Sequence, residues 1–221
     1  MNTLPESGYL TDLKRRRVLT ARALAVVLRA GEVVADEDFD RLAAGAGRIS
    51  GVCLEATPLA VATRALQMLT GGERSRVLDA SSGIGKLSIV GALTTSAVFT
   101  GVERRLSLVR ASRAAALRFG ARRTTFIHGN VEQMVLGAFD AIYLFDSEDH
   151  SGGKSTDACG VGDSPHSAYP DSCTLSTWRS LPRVRSGTRI VTYRSQLEPP
   201  GCDLIRSEVA GGAQLALFQK R

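Results

Sequence analysis

No stretch of this chain approaches eighteen uncharged apolar residues, so nothing in the sequence reads as a membrane-spanning helix. Cysteine is sparse as well: Cys53, Cys159, Cys173 and Cys202 include no close pair of the C-x-x-C kind. Such spacing suits neither a disulfide framework nor a short zinc motif, and the four read as reduced thiols of a cytoplasmic protein. Aromatic residues make up 5% of the positions, with a single tryptophan. None is interleaved with basic residues as a base-stacking surface requires. A basic cluster, Lys14 to Arg17, precedes an apolar run from Ala23 to Leu28, as in a secretory leader. Arg22 and Arg29 bracket that run too tightly, and no small-residue cleavage site follows.

What is present is the balance of a folded globular protein, with 43% hydrophobic and 23% charged residues. At 221 residues it can bury one sizeable core without disulfides or a structural metal. The net charge of +6 is unevenly placed, because Gly101–Thr125 holds seven arginines against one acid, Glu103. That stretch contains a predicted helix, Leu106–Phe119, with Leu106, Val109, Ala116 and Leu117 on an apolar face. Arg110, Arg113 and Arg118 then point to solvent, so the charge reads as a solvated face and nucleic acid is not expected as a partner.

Residues 11–70 have apolar spacing of three and four, interrupted near Gly31 and Gly45–Gly51, and predict a helical N-terminal cap. Its last helix opens at Thr57-Pro58, with Thr57 as N-cap and Pro58 in the first turn. From residue 71 the pattern alternates. Short strands are predicted at Arg76–Asp79, Ala97–Glu103, Thr124–His128, Phe139–Phe145 and Thr188–Tyr193. Helices fall at Leu87–Leu93, at Leu106–Phe119, and where Leu175, Trp178, Leu181 and Val184 recur every third residue. Asp203–Val209 and Gln214–Phe218 flank an Ala-Gly-Gly turn, a hairpin signal. Alternating strands and helices imply a parallel α/β sheet with right-handed crossovers, here with an antiparallel addition at the end.

The most informative segment is VLDASSGIGKLSIVGAL, Val77–Leu93. A strand running into Gly83 and Gly85 and then a helix lets backbone N–H groups approach a ligand closely. Ligands of open α/β sheets bind beyond the carboxyl ends of the strands, where this turn lies. Glu103 ends the second strand, and an acid there suits a ribose diol. ASSGIG looks like the glycine turn of the short-chain dehydrogenases, but that family requires a Tyr-x-x-x-Lys pair. Here the residues four after Tyr9, Tyr143, Tyr169 and Tyr193 are Leu13, Ser147, Cys173 and Leu197, so the dehydrogenase reading loses its catalytic pair.

Val77–Gly85 resembles the first motif of the class I S-adenosylmethionine-dependent methyltransferases, a hydrophobic pair followed by Asp-x-Gly-x-Gly-x-Gly. The resemblance spans roughly Glu55–Arg221. It implies a Rossmann-like seven-stranded sheet with an antiparallel last strand, S-adenosyl-L-methionine as cofactor, and methyl transfer as the reaction. It also implies roles: Asp79 toward the amino-acid end of the cofactor, Glu103 toward the ribose, Asn130 toward the adenine. GIGK followed by FTGVE looks most similar to the branch of the disruptor-of-telomeric-silencing lysine methyltransferases and their bacterial relatives. In that branch the segment before the first strand contacts the cofactor, which implicates Glu55 and Thr57. Two departures stand out. Ser81 replaces the first motif glycine, and Asp146-Ser147-Glu148 replaces the branch's Asn-Pro-type sequence after the fourth strand.

Methyl transfer needs alignment of the nucleophile and, for some acceptors, a base. Asp146 and Glu148, with Asp149 beside them, are the candidates at the end of the fourth strand. An acidic mouth favours a cationic amine or lysine side chain as acceptor. The polar stretch Asp146–Ser172 reads as a lid, and its His150, Cys159 and His166, with Cys173 beyond, match no zinc spacing. The departures leave a second function open, a non-catalytic cofactor-binding subunit or interaction module. The ribose role carries one further expectation, that Glu103 has no obligatory protein partner.

Overall fold

The computed structural model describes residues 8–15, 19–45, 57–71, 74–145, 173–195 and 197–221. Seven strands form one sheet: β1 (Arg76–Ala80), β2 (Val98–Glu103), β3 (Thr124–His128), β4 (Ala141–Phe145), β5 (Arg189–Tyr193), β6 (Cys202–Ala210) and β7 (Ala213–Lys220). Their order is β3-β2-β1-β4-β5-β7-β6. The first five are parallel, and β7 runs antiparallel between β5 and β6. The chain thus turns from β1 outward to β2 and β3, then returns to the other side through β4. That reversal leaves a crevice at the carboxyl ends of β1 and its neighbours, the usual ligand position in such sheets.

The central strands are buried on both faces, as their Val-, Leu- and Ile-rich sequences require. One core lies between the sheet and α2 (Ala21–Arg29), α3 (Asp36–Ala44), α4 (Leu59–Leu69), α5 (Lys86–Thr94) and α6 (Leu106–Phe119). It joins Leu24 and Phe39 from the N-terminal helices to Ile89, Phe99 and Phe119, with Phe39 stacked on Phe119 at 4.7 Å. The second core covers the opposite face with α7 (Cys173–Ser180), through Trp178, Leu181, Ile142 and Phe218. A further short helix, α1 (Gly8–Arg15), precedes these. Among the described residues no helix is long and apolar enough to cross a membrane.

Several sequence expectations need correction. Helix α4 starts at Leu59, with Pro58 in extended conformation at the N-cap, so Thr57 caps nothing and its hydroxyl meets Tyr143 instead. The helix around Trp178 ends at Ser180 and continues as a 3-10 turn over Leu181–Arg183, with Pro182 in its first turn. Helix α6 has the expected bounds but a rotated apolar face. Leu106 and Leu117 are exposed, while Leu108, Val109, Ala115, Ala116 and Phe119 are buried.

The arginines of Gly101–Thr125 are exposed, as the spacing predicts, and three of them also bond backbone carbonyls of neighbouring segments. Arg113 donates to the Phe126 carbonyl at 2.7 Å, Arg118 to the Ala43 carbonyl at 2.6 Å, and Arg123 to the Ala92 carbonyl at 3.0 Å. A planar guanidinium reaches two groups at once, which suits it to close helix and strand ends over this distance. Three of the seven arginines therefore also staple α6 and β3 to their neighbours.

Candidate functional site

The turn between β1 and α5 contains three left-handed residues, and each has a different reason. Ser81 has φ +66, so the position that holds glycine in the resembled motif keeps a glycine-like path while carrying a side chain. That conformation costs a non-glycine residue about 1–2 kcal/mol. The Ser81 side chain is exposed. Gly83 has φ +55, and a Cβ there would meet nothing within 4 Å. Gly85 has φ +79, and a Cβ there would run into the ring of Phe126 and come within 3.1 Å of the Ser112 Cβ. Gly83 faces open space, whereas Gly85 is required by packing of the helix start against β3 and α6.

The Gly83 N–H donates to Oε2 of Glu103 at 3.0 Å. Oε1 of the same carboxylate accepts from the backbone N–H of Arg105 at 2.9 Å and from its guanidinium Nε at 3.0 Å. Glu103 is therefore buried with three partners, which corrects the expectation that it would have none. The reason is local: the chain turns sharply after β2, bringing the Arg105 N–H back onto the carboxylate. A carboxylate offers about four acceptor positions, so capacity for one more donor remains. The side chain positions the glycine turn as well as lining the crevice.

Asp79 is buried at the end of β1, beside Tyr143 of β4 and Gly101 of β2 in the sheet register. Ser88, on the first turn of α5, donates to its Oδ2 at 2.7 Å. Burial pushes the Asp79 carboxyl up to about 7; the Ser88 hydrogen bonds oppose that rise, and the nearby Glu103 charge adds to it. An aspartate held this way gains from a cation placed next to it, because a positive charge offsets the desolvation.

Asn130 follows β3 and is half-buried. It caps a 3-10 turn, Val131–Gln133: its side chain accepts from the Glu132 N–H at 3.4 Å, and its own N–H donates to the Gln133 amide oxygen at 2.9 Å. The neighbouring Gly129 N–H binds the Glu103 carbonyl at 3.1 Å, so Asn130 sits next to the ends of β2 and β3. Thr57 is buried with its hydroxyl 2.8 Å from the Tyr143 hydroxyl, and burial raises the Tyr143 phenol above its ordinary range. Asp79, Ser81, Gly83, Gly85, Glu103 and Asn130 thus lie along the carboxyl ends of β1, β2 and β3. Thr57 reaches the same region from the cap side. Glu55, Asp146 and Glu148 lie outside the described residues, as do Asp149, His150, Cys159 and His166.

Sequence reasoning missed four participants. Ser88 carried a usable signal, since a polar residue on the first turn of an otherwise apolar helix points back at the preceding strand end. Lys86, Asp36 and Asp40 carried none. Lys86 is buried at the start of α5, with Nζ 2.7 Å from Asp36 and 2.8 Å from Asp40, and 5.7 Å from the centre of the Phe39 ring. Asp36 also accepts the Leu59 N–H at 3.0 Å, which ties α3 to the start of α4. Burial raises the Asp40 carboxyl, and the Lys86 ammonium opposes that rise. The helical cap is therefore bonded to the start of α5, just after the glycine turn.

A separate cavity of about 480 Å³ lies between α2, α3 and the end of α6, lined in part by Arg22, Arg41 and Arg118. It lies toward the opposite end of the strands from the glycine turn, since α6 ends beside the start of β3. Its arginines already serve other groups: Arg118 the Ala43 carbonyl, Arg22 the Leu117 carbonyl at 3.4 Å, Arg41 the Asp38 carboxylate at 3.1 Å.

No protein-family model matches the chain, and no curated protein matches it. Solved structures do. An RNA methyltransferase from Salinibacter ruber, determined with S-adenosyl-L-homocysteine, superimposes with a TM-score of 0.55 at 19% identity, over 74% of this chain and 92% of that one. A precorrin-6y C5,15-methyltransferase from Geobacter metallireducens gives a TM-score of 0.52 at 14% identity, over 78% and 93%. A SAM-dependent methyltransferase from Aquifex aeolicus gives 0.50 at 12%, over 72% and 88%. These likenesses give no support to the telomeric-silencing branch. With five parallel strands, an antiparallel β7 inserted between β5 and β6, and a glycine turn beside two buried acids, the chain has the Rossmann-like fold of the class I methyltransferases.

Proposed function

We propose that this protein binds S-adenosyl-L-methionine at the carboxyl ends of β1, β2 and β3 and transfers its methyl group to an acceptor. One observation carries the reading. Glu103 holds the N–H of Gly83 while the space in front of Gly83 is open, and the buried Asp79 lies on the adjacent strand. Two buried acids flanking an open glycine fit a ligand with a cationic amino-acid end and a vicinal diol. The described solved structures, all methyltransferases by their descriptions and one determined with S-adenosyl-L-homocysteine, support the same ligand.

When bound, the sulfonium supplies an activated methyl group, and the protein has mainly to align an acceptor in line with it. Asp79 offers its carboxylate to the ammonium end. Glu103 offers its remaining acceptor position to a ribose hydroxyl and keeps Gly83 in place. Asn130, just after β3, is our candidate for the adenine edge. Asp146 and Glu148 follow β4 in the chain and are our candidates to take a proton from the acceptor, with a cationic amine or lysine side chain as the favoured class.

Calorimetry with S-adenosyl-L-homocysteine tests the reading. Binding is expected, and Gly83→Arg, which fills the open space, should abolish it while the far-ultraviolet circular dichroism stays unchanged. Failure of folded wild-type protein to bind, together with binding of a nicotinamide nucleotide, would overturn the assignment.

A further inference from the structure

Strand β6 is the outermost of the sheet and runs for nine residues, Cys202–Ala210. Edge strands of this length are commonly protected by proline, by lysine or by brevity. β6 contains neither proline nor lysine and has a single irregularity, between Leu204 and Arg206. It also exposes apolar side chains: Leu204 at 51%, Ile205 at 56% and Val209 at 81%. Its charges are ordered. Glu208 accepts both Nε and Nη2 of Arg64 from α4, at 2.9 and 3.0 Å, and Nη2 of Arg206 at 2.8 Å.

We infer that β6 is a self-association edge, pairing antiparallel with β6 of a second copy about a two-fold axis at Ser207. The register follows from the charges. Centred on Arg206, the pairing would oppose Arg206 to itself, and centred on Glu208 it would oppose Glu208 to itself; like charges directly opposite destabilise a sheet. Centred on Ser207, Arg206 of each copy faces Glu208 of the other, while Ile205, at the irregularity, has no register position and takes no part in the pairing. The Arg206–Glu208 pairing is complementary and occurs twice because the axis makes the interface isologous. Arg64 anchors Glu208 in place for this contact, while Arg206 and Glu208 share one face of the strand, opposite Leu217 and Leu215. The result is a continuous fourteen-stranded sheet, two copies of the seven strands found here. The inference is independent of what the crevice binds.

Sedimentation of the full chain across a concentration series tests it. Wild-type protein is expected to dimerise. Val209→Lys, at a position exposed enough to leave the monomer fold intact, should raise the dissociation constant at least tenfold. Ser207→Glu, which sets like charges against each other at the axis, should do the same. Ser207→Cys should form a disulfide-linked dimer under mild oxidation, because position 207 meets its own copy only in the Ser207-centred register. Thermal melts of each variant confirm that dissociated chains are still folded. Wild-type protein that stays monomeric throughout overturns the proposal and leaves the edge to a different partner. A dimer unmoved by either charged substitution, or Ser207→Cys chains that do not cross-link, overturns it equally.

Discussion

The corner where β1 meets α5 and the hairpin of β7 and β6 treat polar and apolar groups in opposite ways. At the corner, Asp79, Glu103, Lys86 and Ser88 are buried, and each has a short, directed partner. At the hairpin, Leu204, Ile205 and Val209 lie in solvent while the sheet continues past the core. Burial makes each polar group at the corner expensive to leave unpaired, so the corner is rigid and intolerant of change. The outer strand carries little folding energy, so its sequence is free to serve association. Substitutions should therefore act on stability and ligand affinity at the corner, and on oligomeric state at the edge.

The largest effect is expected at Gly85. Gly85→Ala places a Cβ against the Phe126 ring in a left-handed backbone, at a combined cost of about 3–5 kcal/mol. A chemical-denaturation midpoint close to wild type would remove the packing account of this glycine.

Asp79 comes next, and its sign depends on pH. Its folded carboxyl titrates at about 7, above the ordinary 3.8, so the fold favours the protonated form. Its stabilising contribution is complete below about pH 4 and is lost as pH rises through about 7. Asp79→Asn, neutral throughout, should match wild type near pH 4 and exceed it at pH 8 by up to about 4 kcal/mol in the unliganded protein. The same variant should bind S-adenosyl-L-homocysteine more weakly, so stability and affinity move in opposite directions. Parallel changes in the two would sink the assignment of Asp79 to the ammonium end.

Glu103→Ala strands the N–H groups of Gly83 and Arg105, and should destabilise by about 2–4 kcal/mol while lowering affinity at least tenfold. Melting temperature and calorimetry on the one mutant separate the two roles, and unchanged affinity would leave Glu103 a purely structural clamp. Gly83→Ala sharpens the contrast with Gly85. Its Cβ meets nothing, so stability should fall by only about 1 kcal/mol, from the positive φ. Affinity should suffer more than stability if the open space is the ligand's. Leu204→Thr, half-exposed on the edge strand, should change monomer stability by no more than about 0.5 kcal/mol by thermal melting.

The β1–β5 positions and the hairpin were readable because their patterns are local. Thr124–His128 and Leu106–Phe119 have the bounds that the apolar spacing predicts. The hairpin strands run longer than their apolar spacing predicts because backbone pairing continues beyond it. Positions following β1 and β2 were equally legible, since a strand, a glycine turn and a helix place Asp79, Gly83 and Glu103 at one edge whatever else the chain does. Which face of α6 is buried was not legible. Ala-rich helices carry a weak pattern, and the contacts of Phe119 with Phe39 decide the rotation.

The sequence by itself determined the alternation of strands and helices, the antiparallel ending and the acid-and-glycine constellation, because each depends on residues within a few positions of one another. Only the tertiary structure decided how the charges are used. Lys86 meets Asp36 fifty residues away, Arg118 meets Ala43 seventy-five residues away, and Arg64 meets Glu208 across 144 residues. In a sequence these are interchangeable surface charges. Folding brings them within hydrogen-bond distance of particular partners, and for the buried Lys86, shielded from water, a partner is obligatory.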